Sequence, residues 1–385
     1  MSWCKRLGIL IIGMLLTLRG ELSFAQALSE TWMSVRAMGM GNAYTAVVDD
    51  SDSLFYNPAG LARISGFHWT VFDVHAGING IETVNEIQKL TTATSDNLAE
   101  NIKSLYGKQI WLGGGGKSVL TLPGFAAGYY ASANGEVYMA NPANPTLNTN
   151  YFFDYGIAVG GAFDFIPEIF KVGVVARRLN RTGTTLPLGP AVLAELDTTA
   201  LEGEFKRRGT GYGFDFGAVI TIPGPVSPTL SFVYKDIGGV AFTHEEGIGA
   251  PPSIESEMII GAAFKIDTPI ITITPSVDYK HANRSDLQLG KKLHAGVEID
   301  LPLIDLRAGL NQGYYTLGAG LSLGIIRFDV ATYGVELGAY PGQHEDRRYV
   351  AQVTFELGFD PSKFGFGGVF GGGKSGERRH LKRRR

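Results

Sequence analysis

The side chains best suited to chemistry are scattered through this 385-residue chain rather than grouped. Hydrolytic catalysis needs a nucleophile beside a base, or a metal held by ligands at a fixed spacing. The seven histidines show no H-x-x-x-H spacing, and the single cysteine, Cys4, lies beside an apolar N-terminal run. We therefore expect no catalytic residues, no metal site and no cofactor.

A charged group near position 290 has two interpretations. Lys291, Lys292 and His294 come shortly before Glu298. They form a small polar site inside a channel, or they act separately as ordinary charges that hydrate the channel interior. Charged side chains are rarely buried without a partner, which favours the second interpretation.

An acidic run in the N-terminal part of the chain also has two interpretations. Asp49, Asp50 and Asp52 are followed by Asn57. These oxygens suit a cation, but Asp and Asn more often hydrogen-bond their own backbone in turns. The glycine run at 113–116, followed by Lys-Ser, lacks the spacing of a phosphate-binding loop and precedes no predicted helix, so we expect no phosphate site there.

The most distinctive stretch covers residues 36–62 and reads RAMGMGNAYTAVVDDSDSLFYNPAGLA. Its glycines allow backbone conformations that other residues avoid, and its Asn-Pro pair begins a turn. We expect a compact, loop-rich segment that is too short to fold as a domain. The residues that carry the pattern are Arg36, Gly39, Gly41, Asn42, Asp49, Asp50, Asn57, Pro58 and Gly60.

This stretch resembles the N-terminal hatch of the FadL-type outer-membrane protein superfamily. That superfamily contains channels for long-chain fatty acids and aromatic hydrocarbons, PorV-like proteins of type IX secretion, and TraF-like proteins. A second stretch, RAGLNQGY at 307–314, resembles the C-terminal half of the PorV-like and TraF-like branch. The resemblance implies a barrel of fourteen strands with the hatch inside its lumen.

Residues 1–27 have the features of a secretory signal peptide. Lys5 and Arg6 precede an apolar run from 7 to 18, and small residues around Ala25 and Ala27 offer cleavage sites. An uncleaved anchor is the alternative, but the run is too short to span a bilayer comfortably. We expect an exported protein of the outer membrane of a Gram-negative bacterium.

Long alternating segments fill the chain from residue 67 to residue 359. Segments such as 271–280, 293–301 and 349–359 alternate apolar and polar side chains over about ten residues, as transmembrane β-strands do. Strands of soluble β-sandwiches are shorter, about five or six residues. We predict an all-β fold: a transmembrane antiparallel β-barrel of about 14 strands at 67–359, with the N-terminal hatch at 28–66 inside its lumen.

Connections along the chain alternate between short and long, as in outer-membrane barrels with short periplasmic turns. The parity requires an extra turn, which we place at 133–135, where the sequence is Ala-Asn-Gly. We expect helices within 80–107 on the outer side and a helical turn within 188–202. We expect the Gly-rich basic tail at 360–385 to be disordered and periplasmic, where it contacts lipid head groups, docks a periplasmic partner or stays solvated.

The alternation also predicts which polar residues face the lumen. The residues that we assign to the lumen are Asp215, Asp278, Lys280, His294, Glu298, Arg307, Asn311 and Glu356. Glycines at 309, 318, 320 and 324 leave room on neighbouring strands, either for the hatch to approach the wall or for a passage beside it. We favour close approach.

The resemblance implies passage of hydrophobic or amphipathic small molecules across the outer membrane, without enzymatic activity. The alternative is a structural or assembly barrel that anchors a secretion or transfer apparatus. Expected partners are outer-membrane lipids, a hydrophobic ligand, and a periplasmic or secretion-apparatus protein. The formal net charge of -3 gives no basic field for nucleic acid.

Overall fold

A computed structural model describes residues 31–80, 83, 107–140, 146–188 and 203–359. The expected signal peptide, the basic tail and the helical turn within 188–202 lie outside these residues. The same holds for almost all of the segment in which we expect helices, 80–107. Among the described residues, no helix is long and apolar enough to cross a bilayer.

Fourteen antiparallel strands pair in chain order and close into a barrel, because β1 pairs with β14. The predicted fold class and strand number are therefore confirmed. The strands are β1 Phe67–Ile78, β2 Gln109–Leu122, β3 Phe125–Ala140, β4 Thr146–Ile166, β5 Phe170–Leu188, β6 Arg208–Thr221, β7 Val226–Lys235, β8 Glu257–Asp267, β9 Thr272–Tyr279, β10 Leu293–Asp300, β11 Ile304–Asn311, β12 Tyr314–Leu323, β13 Ile326–Glu336 and β14 Glu345–Phe359.

The outer face of the barrel is apolar and the inner face is polar. On β14, Tyr349, Val353 and Leu357 are exposed to the outside, whereas Gln352 between them is buried in the lumen. So many exposed large apolar side chains are unfavourable in water but suit a bilayer. Closure leaves no unpaired strand edge, which a membrane requires of a β-structure.

One predicted turn is wrong. Ala133, Asn134 and Gly135 lie inside β3, where they pair with both β2 and β4. The turn lies instead between β2 and β3, at Pro123 and Gly124, where Gly124 has a φ of 74°. Proline lacks the N–H that a strand ladder needs and glycine accepts a positive φ, so this pair ends a strand better than the predicted turn does.

A further connection departs from the predicted alternation of short and long. Gln312 and Gly313 join β11 to β12 by a two-residue turn at the end of the barrel that carries the long connections. Both residues have positive φ, 52° and 92°. Two successive positive φ angles are typical of the tight hairpin turn that matches strand twist.

The hatch lies inside the lumen and contains three short helical segments. They are α1 (Val35–Gly39), α2 (Ser53–Tyr56) and a 3-10 helix (Pro58–Arg63). Ser34 caps α1 by accepting from Ala37 N, and Asn57 caps the 3-10 helix by accepting from Ala59 N. Short side chains with an oxygen satisfy the free amides at such ends.

The hatch shares its apolar contacts with the barrel wall instead of forming a separate core. The Trp32 ring stacks on Phe55 at 5.0 Å, and Phe55 in turn packs edge-on against Tyr130 of β3 at 5.1 Å. The same cluster includes, from the hatch, Tyr44, Leu54 and Leu61, and from the wall, Val119, Ala158, Val175 and Leu179. A segment this short buries too little area alone to offset its chain entropy, so the wall has to supply the rest.

The position of the lipid-facing apolar side chains across the bilayer leads to a first prediction. Val353 lies at the middle of the lipid-facing side of β14, and Leu357 lies four residues nearer the short-turn rim. Val353→Arg should cost about 2–4 kcal/mol of folding free energy, because a cation then lies near the bilayer midplane, and Leu357→Arg should cost about 0–1 kcal/mol.

The measurement is urea unfolding of both variants in lipid vesicles, with wild type alongside. Equal costs at the two positions would mean that β14 does not cross the bilayer at this depth.

Candidate functional site

A buried carboxylate joins the hatch to the wall. Glu298 of β10 is 1% exposed and accepts hydrogen bonds from Arg36 of α1, at 2.9 Å from Nε and 2.6 Å from Nη2. The same carboxylate accepts from Arg307 Nε of β11 at 2.6 Å. Two guanidinium groups thus share one carboxylate, and one of them belongs to the hatch.

This bridge continues in both directions. On the wall, Arg307 reaches Asp329 at 2.8 Å and Asp305 at 3.3 Å. On the hatch, the Arg36 guanidinium reaches Asp49 at 3.0 Å and Asp50 at 3.1 Å. Charges removed from water need partners of opposite sign and hydrogen bonds, and this alternating chain supplies both.

Asp49 and Asp50 of the acidic run bond to groups of the hatch itself, including Arg36. Asp50 accepts from the Tyr44 hydroxyl at 3.0 Å and from the backbone N of Asp52 at 2.9 Å. The Asn57 side chain donates to Thr45 O at 2.8 Å. Within the described part of the chain, no group of three or more His, Cys, Asp or Glu residues is arranged to hold a metal ion.

A second wall carboxylate holds the hatch through its backbone. Asp278 of β9 is fully buried and accepts from the backbone N of Tyr44 and of Thr45, both at 2.9 Å. The Thr45 hydroxyl adds a third bond at 2.9 Å. Nearby, the Lys280 ammonium lies 5.6 Å from the centre of the Tyr56 ring. Three donors on one carboxylate make a strong attachment.

A third attachment was missed by the sequence analysis. Lys117 of β2 is buried and pairs with Asp52 of the hatch, which also accepts from Trp32 Nε1 at 3.0 Å. Burial alone would raise the pKa of Asp52, but the Lys117 ammonium and these hydrogen bonds hold it below its usual range. The sequence signal that could have identified this attachment is a lysine on the inward-facing side of an otherwise Gly-rich strand.

Glycines allow α1 to touch the wall backbone. Gly41 has a φ of 65°, and a Cβ there would lie 2.5 Å from Leu310 O. A Cβ at Gly39 would lie 3.1 Å from the Cα of Gly318, and one at Gly309 would lie 2.7 Å from Gly41 N. His294 Nδ1 lies 3.0 Å from Gly41 O. These glycines therefore serve close approach of hatch and wall at these positions.

The 3-10 helix makes a similar approach on the opposite wall. A Cβ at Gly173 of β5 would lie 2.5 Å from the carbonyl carbon of Pro58, and one at Gly217 of β6 would lie 2.8 Å from the Pro58 ring. Gly60 lies against Val48 O of the hatch itself, 2.7 Å from where a Cβ would stand. Asn42, the last residue of the sequence pattern, has a φ of 62° and follows Gly41 in the tight turn after α1.

The group predicted near position 290 does not come together. Lys291 donates to Gly338 O at 2.8 Å, and Lys292 donates to Arg284 O, both near the end of the barrel with the long connections. His294 faces Gly41 and Glu298 holds Arg36, as described above. The interpretation as one small polar site is therefore wrong, because each of these side chains has a separate partner and four residues of strand separate His294 from Glu298 along the lumen.

The remaining predicted lumen residues lie apart from the Glu298 bridge. Asn311 donates to Gly334 O at 2.6 Å, and Glu356 lies 3.2 Å from His68 Nδ1. Asp215 is paired with Arg177 at 3.0 Å. Arg177 also reaches Asp236 at 2.7 Å, a pairing that strand alternation alone does not predict.

The hatch divides the lumen into two chambers. The outer chamber, about 80 Å³, lies on the side of the long connections and is lined by Met33, Met38, His75, Trp111, Phe152, Asn311, Tyr333 and Arg348, among others. The inner chamber, about 110 Å³, lies on the side of the short turns and is lined by charged residues, including Asp49, Asp73, Lys265, Arg327 and Glu356. Arg36 and the rest of α1 separate them.

No protein-family model and no curated protein matches this sequence. Solved structures that it resembles include the Pseudomonas putida toluene transporter TodX, with a TM-score of 0.49 and 9% identity over 86% of this chain and 99% of that chain. The Ralstonia pickettii toluene transporter TbuX gives 0.47 and 11% over 85% and 98%, and the CymD monoaromatic hydrocarbon channel gives 0.48 and 10% over 88% and 99%.

The fold assignment rests on the strand pairing of this chain itself. A closed barrel of fourteen strands with an N-terminal hatch in its lumen is the architecture that the sequence resemblance implies. The predicted architecture, a fourteen-strand barrel with the hatch in its lumen, is therefore confirmed.

A second prediction concerns the close approach at Gly41. Gly41→Ala should displace α1 from the wall while the barrel stays assembled, because the new Cβ meets backbone atoms that cannot move aside. The readouts are tryptic cleavage at Arg36 and entry of bulky dyes into cells. Gly342→Ala is the matched control, since Gly342 also has a positive φ, 88°, but its Cβ would meet nothing within 4 Å. Equal behaviour of both variants would refute the contact.

A third prediction concerns the carboxylate bridge. Glu298→Gln leaves two buried guanidinium groups short of a counter-charge, so it should cost about 3–5 kcal/mol. The matched control is Glu255→Gln, which removes a solvent-exposed partner of Arg284 and should cost about 0–1 kcal/mol. Urea unfolding in vesicles measures both. A small loss at Glu298 would mean that water reaches and solvates the bridge.

Proposed function

We propose that this barrel lies in the outer membrane and passes small hydrophobic or amphipathic molecules, with the outer chamber as the first binding place. The observation that carries the proposal is the lining of that chamber. Met33, Met38, Trp111, Phe152 and Tyr333 place apolar and aromatic surface directly above α1. Binding sites for small molecules typically combine such surface with a few fixed polar groups.

The apolar side of the chamber is ordered but adaptable. The Trp111 and Tyr333 rings meet edge-on at 6.5 Å, and the Tyr333 hydroxyl lies 2.9 Å from the Met33 sulfur. Methionine is flexible and polarizable, so it adjusts to guests of different shape. This side suits an aromatic ring or a short hydrocarbon chain.

The polar side of the chamber suits a ligand with one hydrogen-bonding group. Arg348 lies 3.7 Å from Glu136 and stacks 4.3 Å over the Trp111 ring. His75 Nδ1 and Asn311 Oδ1 are buried here without a hydrogen-bond partner among the described residues. Buried polar atoms are normally satisfied, so a guest or water completes these two.

Passage requires the hatch to move. The two chambers, about 80 and 110 Å³, are separated by α1 and its bridge to Glu298. A guest in the outer chamber touches Met38 of α1 and Met33 just before it, so binding energy acts on the segment that has to shift. A ligand shifts such an equilibrium only through the difference in its affinity for the two states.

The second candidate function is a sealed structural or assembly barrel that anchors a secretion or transfer apparatus. The observation that favours it is a loop at the outer end that folds into the lumen above the hatch. The loop at 236–256 folds inward: Val240 is 1% exposed and bridges to Ile254, and Arg181 donates to Pro252 O at 3.1 Å. A barrel that only anchors needs such a seal and no ligand.

A fourth prediction separates the two functions. Ser132 of β3 lines the outer chamber, whereas its neighbour Ala131 lies outside that lining, in register with the lipid-facing Val74 of β1 through Gly116 of β2. If the barrel is a channel, Ser132→Leu should reduce uptake of a small aromatic compound by filling the chamber, and Ala131→Leu should not. The assay is uptake of radiolabelled toluene by cells that carry each variant.

Outer-membrane fractionation and heat-modifiable gel mobility confirm that both variants are assembled. Uptake that equals that of cells lacking the protein, in wild type and both variants, would favour the sealed barrel.

A further inference from the structure

The long connection between β7 and β8 folds over the outer end of the lumen. It spans residues 236–256 and contains no helix or regular strand. Ordered loops of more than about 12 residues without secondary structure of their own are uncommon and are usually functional. This one runs antiparallel to the outer half of β6: Thr243 N donates to Thr210 O at 3.0 Å, and Glu245 N donates to Arg208 O at 2.9 Å. We call residues 236–256 the lid.

Glycines on β6 make room for the lid. The glycines at alternate, lumen-facing positions of this strand are Gly209, Gly211 and Gly213. A Cβ at Gly211 would lie 2.6 Å from Val240 Cγ1, and a Cβ at Gly213 would lie 2.6 Å from Asp236 Oδ1. A Cβ at Gly209 would clash with the carbonyl oxygen of Thr243. The lid therefore lies directly on the backbone of β6, which larger residues at these positions would prevent.

The lid begins at a hinge. Asp236, Gly238 and Gly239 have positive φ angles of 48°, 80° and 78°. Hinges are a few residues at the ends of elements that absorb large backbone rotations. Just beyond, Val240 N donates to Ile254 O at 2.8 Å, and Ile254 N donates back to Val240 O at 3.0 Å. This pair closes the base of the lid, so the residues between them can move as one unit.

One buried arginine connects the lid to the hatch. Arg177 of β5 is 2% exposed, and its Nη2 donates to Asp236 of the lid at 2.7 Å and to Asp215 of β6 at 3.0 Å. Its Nη1 donates to the hydroxyl of Thr31, next to Trp32 of the hatch, at 3.2 Å. A guanidinium stays charged in a protein, so it needs these acceptors as long as it is buried. Displacing either the lid or the hatch therefore removes a partner from the same group.

Apolar packing links the lid to the same region. Val240 belongs to the buried cluster that contains Trp32 of the hatch, and Phe242 packs against that cluster. The guanidinium carbon of Arg181 lies 5.1 Å from the centre of the Phe242 ring and 4.7 Å from that of Phe152, which lines the outer chamber. The lid thus rests on the hatch cluster and, through Arg181, on the wall of the outer chamber.

We propose that Arg177 couples the lid to the hatch, so that release of either one weakens the seat of the other. The coupling makes the lid an outer gate, a role that rests on the proposed passage of small molecules. Coupling between two sites is reciprocal: the factor by which an open lid loosens the hatch equals the factor by which a released hatch loosens the lid. A molecule that lifts the lid therefore loosens the hatch before it reaches α1. Arg177 acts as a positioning residue.

Hydrogen–deuterium exchange of the purified protein, without any guest, measures both equilibria, because amide exchange reports local opening. Gly209→Ala acts on the lid and Gly41→Ala acts on the hatch, and Gly161→Ala is the control, since its Cβ would meet nothing within 4 Å. We expect Gly209→Ala to raise exchange at the Tyr44 amide of the hatch about tenfold, and Gly41→Ala to raise exchange at the Val240 amide by the same factor. Heat-modifiable gel mobility first shows that each variant is folded.

Arg177→Lys tests the coupling residue itself. It keeps the charge but loses the fork that reaches both partners, so it should abolish both cross-effects and leave each direct effect in place. Asp236→Asn tests the same contact from the lid side and should weaken the cross-effects in the same way. Asparagine tolerates the positive φ at this position, so this variant folds even where Arg177→Lys does not.

Three outcomes decide the proposal. Exchange at the hatch that is equal in Gly209→Ala and Gly161→Ala would overturn the coupling. Cross-effects that persist in the Arg177→Lys and Asp236→Asn backgrounds would overturn the role of Arg177, because the apolar cluster would then carry them. Reciprocal cross-effects that need Arg177, in a protein whose cells take up no toluene, would support the coupling and refute the proposed passage.

Discussion

The carboxylate of Glu298 between Arg36 and Arg307 is the interaction on which the arrangement of this lumen depends. All three side chains are largely removed from water, and a buried charge is tolerated only with partners. Arg36 comes from the hatch and the other two from the wall, so the bridge is complete only when the hatch is seated. The same bridge therefore specifies where α1 lies and separates the two chambers.

The other hatch contacts share this logic. Asp278 holds two backbone amides of the hatch, Lys117 holds Asp52, and Gly41 allows backbone to meet backbone. These directional contacts add to the apolar packing of Trp32 and Phe55 against Tyr130 of the wall. A hatch held by directed polar contacts is either seated or released, which is the behaviour required of a gate and equally of a permanent seal.

Strand alternation predicted the class of fold because lipid and lumen impose opposite polarity on successive residues. It assigned Glu298 and Arg307 to the lumen but did not predict that Glu298 accepts from both Arg307 and Arg36 of the hatch, because alternation tells which face of the sheet a residue lies on and not which residue it pairs with. The turn at Pro123 was missed because Asn134-Gly135 is by itself a common hairpin-turn sequence. There, tertiary pairing with two neighbouring strands outweighed local preference. The pairing of Lys117 was not predicted because the four glycines at 113–116 carry no side chains whose alternation would assign Lys117 to a face.

Sequence separation adds a constraint on assembly. The hatch precedes β1 in the chain, yet its polar partners lie far along it: Arg36 is 262 residues from Glu298, and Val35 is 317 residues from Gln352, to which its amide donates. Contacts of such long range form only after the intervening chain is ordered, because loop closure is costly before it. Many of the strands that contact the hatch, β9 to β14, come late in the chain, and the last of them closes the barrel on β1. The contact of the Val35 amide with Gln352 of β14 therefore depends on the strand that closes the barrel.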